Sequence, residues 1–148
     1  MDFVVDANVL GEVCRNNPKA RELLEKIRNH CVVYCTEIFK EYRVLPRMEF
    51  CRVNSKIIEE WIIHLMTKSG KKVHLDRNIN KNINPCFSSL IRRKKFKKKD
   101  MIYIFVAQIS SDKLLIAFEQ HFINAERCIS QLGIKRLSLE GASEMASL

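Results

Sequence analysis

Four acidic residues are the side chains of this sequence most capable of chemistry, because of where they stand relative to the apolar segments. They are Asp6, Glu41, Asp100 and Glu119. Carboxylates that come close together repel one another, so a divalent cation is their natural counter-charge, and hard oxygen ligands suit Mg²⁺ or Mn²⁺. Such an ion can activate water and neutralise the charge that builds up on a phosphoryl group. The four acids therefore raise the hypothesis of a metal site suited to phosphoryl chemistry.

The elements that must position these acids are predicted by the apolar pattern, in which strands and helices alternate. Strands are predicted at residues 3–5, 31–35, 114–118 and 134–139, and helices from Asn17, from Thr36, from Asn54 or Ser55 and at residues 122–132. Residues 101–109 are continuously apolar, and periodicity does not decide between a helix and a buried strand there. Strands that are apolar on both faces indicate a parallel sheet between layers of helices. The prediction is one α/β domain over residues 1–148, a three-layer α/β/α sandwich with a parallel sheet of four or five strands.

In such a fold, binding sites form outside the carboxyl ends of the strands, and helices return antiparallel to the strands. Asp6 ends the first strand, Glu119 directly follows the strand at 114–118, and Glu41 lies little more than one turn into a helix. Asp100 reaches the same edge if residues 101–109 form a helix. Asp112 precedes the strand at 114–118, so it is expected at the opposite edge, roughly 20 Å from Glu119.

Asn8 is the residue most suited to support Asp6. It can orient the Asp6 carboxylate or bind the metal through its amide oxygen, or it can simply form a local turn with its own backbone.

Positive charge is concentrated in one segment of the chain. Of the net charge of +9, the residues from 71 to 99 supply +10, with eleven Lys or Arg and one acid, Asp76. This segment is predicted to be a loop or an inserted arm with a short helix near residues 87–91. Its last part, residues 92–99, is called the basic segment below; its cations are Arg92, Arg93, Lys94, Lys95, Lys97, Lys98 and Lys99. So dense a run repels itself and is better tolerated beside a polyanion, although a solvated loop is the alternative.

Four short stretches around the acids resemble the motifs of the PIN-domain family, whose members are metal-dependent ribonucleases. Residues 4–10 (VVDANVL) resemble the opening motif, residues 36–45 (TEIFKEYRVL) the second, Asp100 with the apolar run after it the third, and residues 112–122 (DKLLIAFEQHF) the fourth. The resemblance covers nearly the whole chain except residues 71–99. Two positions depart from the family pattern: Glu119 stands where Asp is usual, and Ala117 where a hydroxyl is usual.

The resemblance implies an Mg²⁺- or Mn²⁺-dependent endoribonuclease in which Asp6, Glu41, Asp100 and Glu119 hold the metal. It also implies RNA as a partner, with an antitoxin protein, a ribosomal RNA precursor or a second copy of the chain as further partners, because the family includes toxins of toxin–antitoxin pairs and RNA-processing enzymes. Two alternatives stay open: a catalytically inactive RNA-binding module, and a partner-binding scaffold with a basic arm.

Six cysteines invite the disulfide and zinc interpretations. They form no C-x-x-C pair and have no histidine at zinc-module spacing, so free and mostly buried thiols are predicted. The N-terminus lacks a signal sequence, and no apolar run approaches the roughly 20 residues that a membrane helix needs. A cytoplasmic location away from membranes is the resulting expectation.

Overall fold

The centre of the molecule is a five-stranded sheet in which all strands are parallel. A computed structural model describes residues 1–76 and 78–148, so Arg77 of the cationic segment lies outside the described residues. The strand order is β3-β2-β1-β4-β5. The strands are β1 (Asp2–Val5), β2 (Cys31–Tyr34), β3 (Gly70–Lys72), β4 (Leu114–Ile116) and β5 (Lys135–Leu137). The α/β class and the parallel sheet of five strands are confirmed.

The middle of the sheet is the place where the strand order changes direction. β1 pairs in parallel with β2 on one side and with β4 on the other, and Val5 is opposite Ile116 at the carboxyl end. From β1 the chain runs outward to β2 and β3, and it then returns to the other side of β1 for β4 and β5. Open α/β sheets bind ligands in the crevice at such a switch point. The carboxyl ends of β1 and β4 are therefore where a site is expected.

Nine α-helices are present in the described residues. They are α1 (Ala7–Cys14), α2 (Pro18–Ile27), α3 (Thr36–Val44), α4 (Ser55–His64), α5 (Pro85–Arg92), α6 (Met101–Ile109), α7 (Gln120–Asn124), α8 (Glu126–Gln131) and α9 (Leu139–Ala146). This content is compatible with helical layers on the sheet. No helix in the described residues is long and apolar enough to cross a membrane.

Local sequence explains where several helices begin. The Asn17 side chain accepts hydrogen bonds from the backbone N–H groups of Lys19 and Ala20, and Pro18 occupies the first helical position. Asn84 caps α5 in the same way, with Pro85 first in the helix. Such caps satisfy N–H groups that have no partner within the helix. Helix α3 begins at Thr36, as predicted, and Cys35 precedes it without a side-chain hydrogen bond to the helix.

Residues 101–109, for which the sequence pattern allows either a helix or a strand, form the helix α6. Most of this helix is buried, including Tyr103 and Phe105. A helix that is buried on nearly all sides has apolar residues all round, as a buried strand does. Because α6 runs toward β4, its N-terminus and Asp100 face the carboxyl edge of the sheet.

The prediction for residues 71–99 is wrong in part. Its first residues belong to β3, which pairs with β2, and Lys71 forms an ion pair with Asp2 at 3.0 Å. Phe87 of α5 and Phe96 of the basic segment are both buried, and their rings pack together at 5.4 Å. Strand β3 was not predicted, because an edge strand with two exposed lysines lacks the apolar pattern by which strands are recognised. Both ends of this stretch, β3 and the residues from Phe87 to Phe96, are thus attached to the body of the domain. The predicted helix at 122–132 is also replaced by two short helices, α7 and α8.

The prediction of free thiols is wrong for four of the six cysteines. Cys14 is bonded to Cys51 and Cys86 to Cys128, while Cys31 and Cys35 are free. Sequence spacing could not reveal these pairs, because the partners lie 37 and 42 residues apart and meet only in the fold. The bond from Cys86 to Cys128 ties α5 to α8, which holds the start of α5 in place ahead of the basic segment. The cytoplasm is a reducing compartment, in which disulfides are rare. The two disulfides therefore do not support the predicted cytoplasmic location, which stays a prediction.

Candidate active site

The first strand ends at a buried carboxylate in the middle of the sheet. Asp6 is only 2% exposed. Its backbone N–H donates to the carbonyl oxygen of Ile116, the last residue of β4, at 3.0 Å. This bond continues the β1–β4 ladder and fixes Asp6 at the switch point. Glu119 follows the same strand three residues later, so both acids lie at the carboxyl edge.

Burial and neighbouring acids make Asp6 reluctant to lose its proton. Burial, together with the charges of Asp100 and Glu119, raises the pKa of Asp6 to about 7 from an ordinary 3.8, although a hydrogen bond from Asn8 lowers it. The amide nitrogen of Asn8 donates to Oδ2 of Asp6 at 3.1 Å. Asn8 therefore lies beside Asp6 with its amide pointing at the carboxylate, rather than folded onto its own backbone. The electrostatic coupling shows that Asp100 and Glu119 lie near Asp6.

Glu41 joins the other acids through a buried tyrosine. The hydroxyl of Tyr103 donates to Oε2 of Glu41 at 3.2 Å and accepts the backbone N–H of Ala7 at 3.2 Å. Although Glu41 as a residue is exposed, its carboxyl group is partly shielded. That shielding raises its pKa, opposed by the Tyr103 hydrogen bond, while Asp100 raises it and Lys99 lowers it. Tyr103 thus connects the backbone of Ala7, the residue after Asp6, to the carboxylate of Glu41.

A histidine lies between the two remaining acids. Nε2 of His121 is 2.7 Å from Oδ2 of Asp100, and Nδ1 is 3.4 Å from Oε2 of Glu119. The Nε2 atom has no hydrogen-bond partner in the described residues, so this is a close contact without hydrogen-bond geometry. The His121 side chain is 13% exposed, against 37% for Glu119. Its ring also packs on Phe122 at 4.6 Å.

The structure therefore brings four acids to one edge of the sheet, where the charge of one acid raises the pKa of another. They are Asp6, Asp100, Glu119 and Glu41, and they are called the acidic cluster below. Sequence reasoning did not assign a site role to His121 or Tyr103. The position of His121, two residues after Glu119, was the available signal for the first. Tyr103 gave none, because it belongs to a continuously apolar run.

Asp112 lies at the opposite edge, as predicted. Its Oδ2 accepts the backbone N–H of Asp2, at the start of β1, at 2.7 Å. Asp6 is at the other end of the same strand. Asp112 is thus a strand-start partner and not a neighbour of the acidic cluster.

The basic segment leads from α5 directly into the acidic cluster. All seven of its cations are exposed, and in the described residues none of them lies within 4.0 Å of a carboxylate. Phe96 is 3% exposed and packs against Phe122 and His121. The side-chain amide of Asn124 donates to the carbonyl oxygen of Lys95 at 3.1 Å. Phe96 is thus docked on the body, which excludes it as an exposed platform for a base and anchors the cations beside the acids.

The donor set of the acidic cluster fits a hard divalent cation by its chemistry, since four carboxylates and the Asn8 amide offer only oxygen ligands of the kind Mg²⁺ and Mn²⁺ prefer. Asp6, Asp100, Glu119 and Glu41, with Asn8 in support, are the residues that would hold it. These side chains are not arranged around a common metal position: in the described part of the chain, no three His, Cys, Asp or Glu side chains are close enough together to hold a metal ion. Binding would therefore require the side chains to turn inward, including movement of His121 away from Asp100.

Comparisons with models of protein families, with curated proteins and with solved structures give no match. The resemblance to the PIN-domain family accordingly stays a prediction that rests on the four motifs.

Proposed function

We propose that this protein is an Mg²⁺- or Mn²⁺-dependent endoribonuclease of PIN-like, three-layer architecture. The observation that carries the proposal is the coupling of three acids, Asp6, Asp100 and Glu119, at the switch point of a parallel sheet. A buried aspartate whose pKa reaches about 7 is costly for the fold. Carboxyl groups with raised pKa values cluster at functional sites, where burial and neighbouring like charges are arranged to shift them. A cation is the ligand that would compensate several carboxylates at once.

The residues of the acidic cluster differ in burial and in their contacts, and each would therefore have a different role. Asp6 is the most rigid ligand, since it is buried and held by the backbone of β4 and the side chain of Asn8. Glu41 is oriented by Tyr103. Glu119 is the most exposed of the acids that contact His121, so it has the most freedom to turn. A bound Mg²⁺ or Mn²⁺ would supply activation of water and neutralisation of charge on the phosphoryl group.

The basic segment supplies the other half of the substrate site. A polyanion approaching four carboxylates is repelled, and exposed cations next to Asp100 offset that repulsion. Phosphate contacts by Lys and Arg release counterions and give most of the affinity for nucleic acids without sequence preference. RNA is the substrate class that we assign to the site.

An inactive RNA-binding module is the second candidate, and two observations favour it. The acids are not gathered as metal ligands in the described residues, and His121 already lies against Asp100 and Glu119. In that case His121 stays packed against Asp100 and Glu119, and the basic segment alone binds RNA. A third candidate, a scaffold that binds an acidic protein through the basic segment, differs from both in lacking RNA affinity. Whether a nuclease of this kind acts as a toxin or in RNA processing depends on its RNA target.

The proposal is tested by incubating the purified protein with mixed structured and single-stranded RNA, in Mn²⁺ or in chelator, and mapping the cut ends. Cleavage in Mn²⁺ alone is expected for the wild type and for Asp112→Asn, whose carboxylate is at the opposite edge. Asp6→Asn and Asp100→Asn should not cleave. Equal cleavage in chelator, or by folded Asp6→Asn, would overturn the proposal. RNA binding without cleavage would identify the inactive module.

A further inference from the structure

A cavity of about 480 Å³ opens between α3, α6 and described residues that follow β3, and Lys99 in its wall directly precedes Asp100 of the acidic cluster. Its apolar walls come from Leu75 and Ile79 on one side and from Ile102 and Phe105 of α6 on the other. Ligand pockets in proteins have volumes of about 300–1,000 Å³ and are mainly apolar with a few polar groups. The cavity therefore has the size and the walls for a flat organic ring.

The cavity is joined to the acidic cluster through two residues. Glu37 lines the cavity, and it lies four residues before Glu41 on α3. Residues four apart share one face of a helix. Lys99 also lines the cavity, and its charge lowers the pKa of Glu41. A polynucleotide with one phosphate at the acids can thus place a neighbouring nucleotide in the cavity.

The polar groups of the cavity are two cations, two carboxylates and the amide of Asn80. Lys98 and Lys99 are exposed at its rim, and both belong to the basic segment. Asp76 is committed to its own turn, because its Oδ1 accepts the backbone N–H of Asn78 at 3.0 Å. Glu37 has no ion-pair partner among the described residues. It also stands in the first turn of α3, where the helix dipole stabilises a negative charge. Although its carboxylate lies close to the Cys35 thiol, Glu37 is thus the carboxylate of the cavity that is available to a ligand.

We propose that this cavity binds the guanine base of a nucleotide in single-stranded RNA, next to the phosphate at the acidic cluster; this inference rests on the proposed function. The apolar walls would enclose the ring, Lys98 and Lys99 would contact the adjoining phosphate, and the Glu37 carboxylate would accept hydrogen bonds from the base. Single-stranded RNA exposes the Watson–Crick edges that such a pocket reads.

Guanine is favoured by the arrangement of its donors. A carboxylate can accept two parallel N–H bonds at once. Among the four RNA bases, guanine alone has two neighbouring N–H donors on its Watson–Crick edge, the ring N1–H and the exocyclic amino group. Adenine and cytosine place a ring nitrogen lone pair beside their amino group, and uracil places carbonyl oxygens on both sides of its single N–H. Those lone pairs would face the carboxylate, so Glu37 discriminates against the other bases as well as for guanine.

The test is binding of short, labelled oligouridine RNAs that carry one central guanosine, adenosine, cytidine or uridine, measured by fluorescence anisotropy in chelator. The wild type should bind the guanosine oligomer about tenfold or more tightly than the others, since a bidentate contact to a base gives discrimination of this order. Glu37→Gln should lose the preference. Glu25→Gln is the matched control, because it makes the same change of charge on an exposed residue of α2 and should retain the preference.

A second variant separates the phosphate contacts from the base contact. Lys98→Gln should weaken binding of all four oligomers by a similar factor and leave the guanosine preference intact. Equal binding of the four oligomers by the wild type, or an unchanged preference in Glu37→Gln, would overturn the guanine assignment even if the protein cleaves RNA in Mn²⁺. A guanosine preference that depends on Glu37 in a protein that never cleaves RNA would support the cavity and overturn the nuclease.

Discussion

Replacing the buried Asp6 with asparagine should stabilise the fold at neutral pH while it removes the proposed activity. The amide has nearly the same shape as the carboxylate and can still accept the hydrogen bond from Asn8, but it carries no charge. In the wild type, that charge is buried at 2% exposure with Asp100 and Glu119 nearby. The substitution therefore relieves an electrostatic cost that the native state carries.

The size of the effect follows from the pKa of Asp6, about 7 in the native state against an ordinary 3.8. The difference between these values, at about 1.4 kcal/mol per pKa unit, corresponds to about 4 kcal/mol at pH values above 7. Between pH 3.8 and 7 the native state binds more protons than the unfolded state, so the free energy of unfolding falls as the pH rises through this window. Below pH 3.8 the cost disappears. Burying the amide has its own cost of about 1–3 kcal/mol, so a net gain of about 1–3 kcal/mol is expected at pH 8.

The assay is denaturant unfolding of the wild type and Asp6→Asn between pH 4 and pH 8 in chelator. Asp112→Asn is the control, because the same exchange at the opposite edge weakens a bond to the Asp2 backbone and should destabilise slightly at neutral pH. The gain for Asp6→Asn should grow from pH 4 to pH 8. A difference that does not change with pH, or a loss of stability at pH 8, would refute the account of Asp6 as a buried, repelled carboxylate.

Three further outcomes are expected. Replacing four of the seven cations of the basic segment with serine should reduce the salt dependence of RNA binding by about 0.7 in log–log slope for each phosphate that is no longer bound; an unchanged slope would assign the segment to a protein partner. Tyr103→Phe should destabilise the fold by about 1 kcal/mol and lower RNA cleavage, because Glu41 and the Ala7 N–H lose their shared partner; unfolding and cleavage that both match the wild type would contradict this. Non-reducing peptide mapping should find both disulfides. Mutation of Cys86 and Cys128 to serine should weaken RNA binding, because α5 is then no longer bonded to α8. Mutation of Cys14 and Cys51 to serine should lower stability alone.

The positions of the acids could be predicted because they depend on local patterns and one topological rule. Apolar strands that end in Asp6 and Glu119 are visible in the sequence, and a parallel sheet then places both acids at one edge and Asp112 at the other. The helix at 101–109 could not be distinguished from a strand, because a buried helix and a buried strand look alike without polar positions. Only its packing in the fold distinguishes the two.

Features that depend on distant contacts could not be predicted. The disulfides, the edge strand β3 and the bond from Tyr103 to Glu41 each join parts of the chain that no local pattern relates. The helix α1 was missed as well, since it is short and carries Gly11, a poor helix former. Phe96 shows the same limit: within a run of cations it could stack on a base or dock on the body, and only the fold shows that it docks.

The central claim is that the acidic cluster holds a divalent metal although its ligands are not gathered in the described residues. The most direct test is a calorimetric titration of the wild type with Mn²⁺ in the absence of RNA. We predict saturable binding in the wild type and in Asp112→Asn, and its loss in Asp6→Asn and Asp100→Asn. Absence of Mn²⁺ binding by the folded wild type, or equal binding by all four proteins, would contradict the claim and leave the acids as structural charges beside His121.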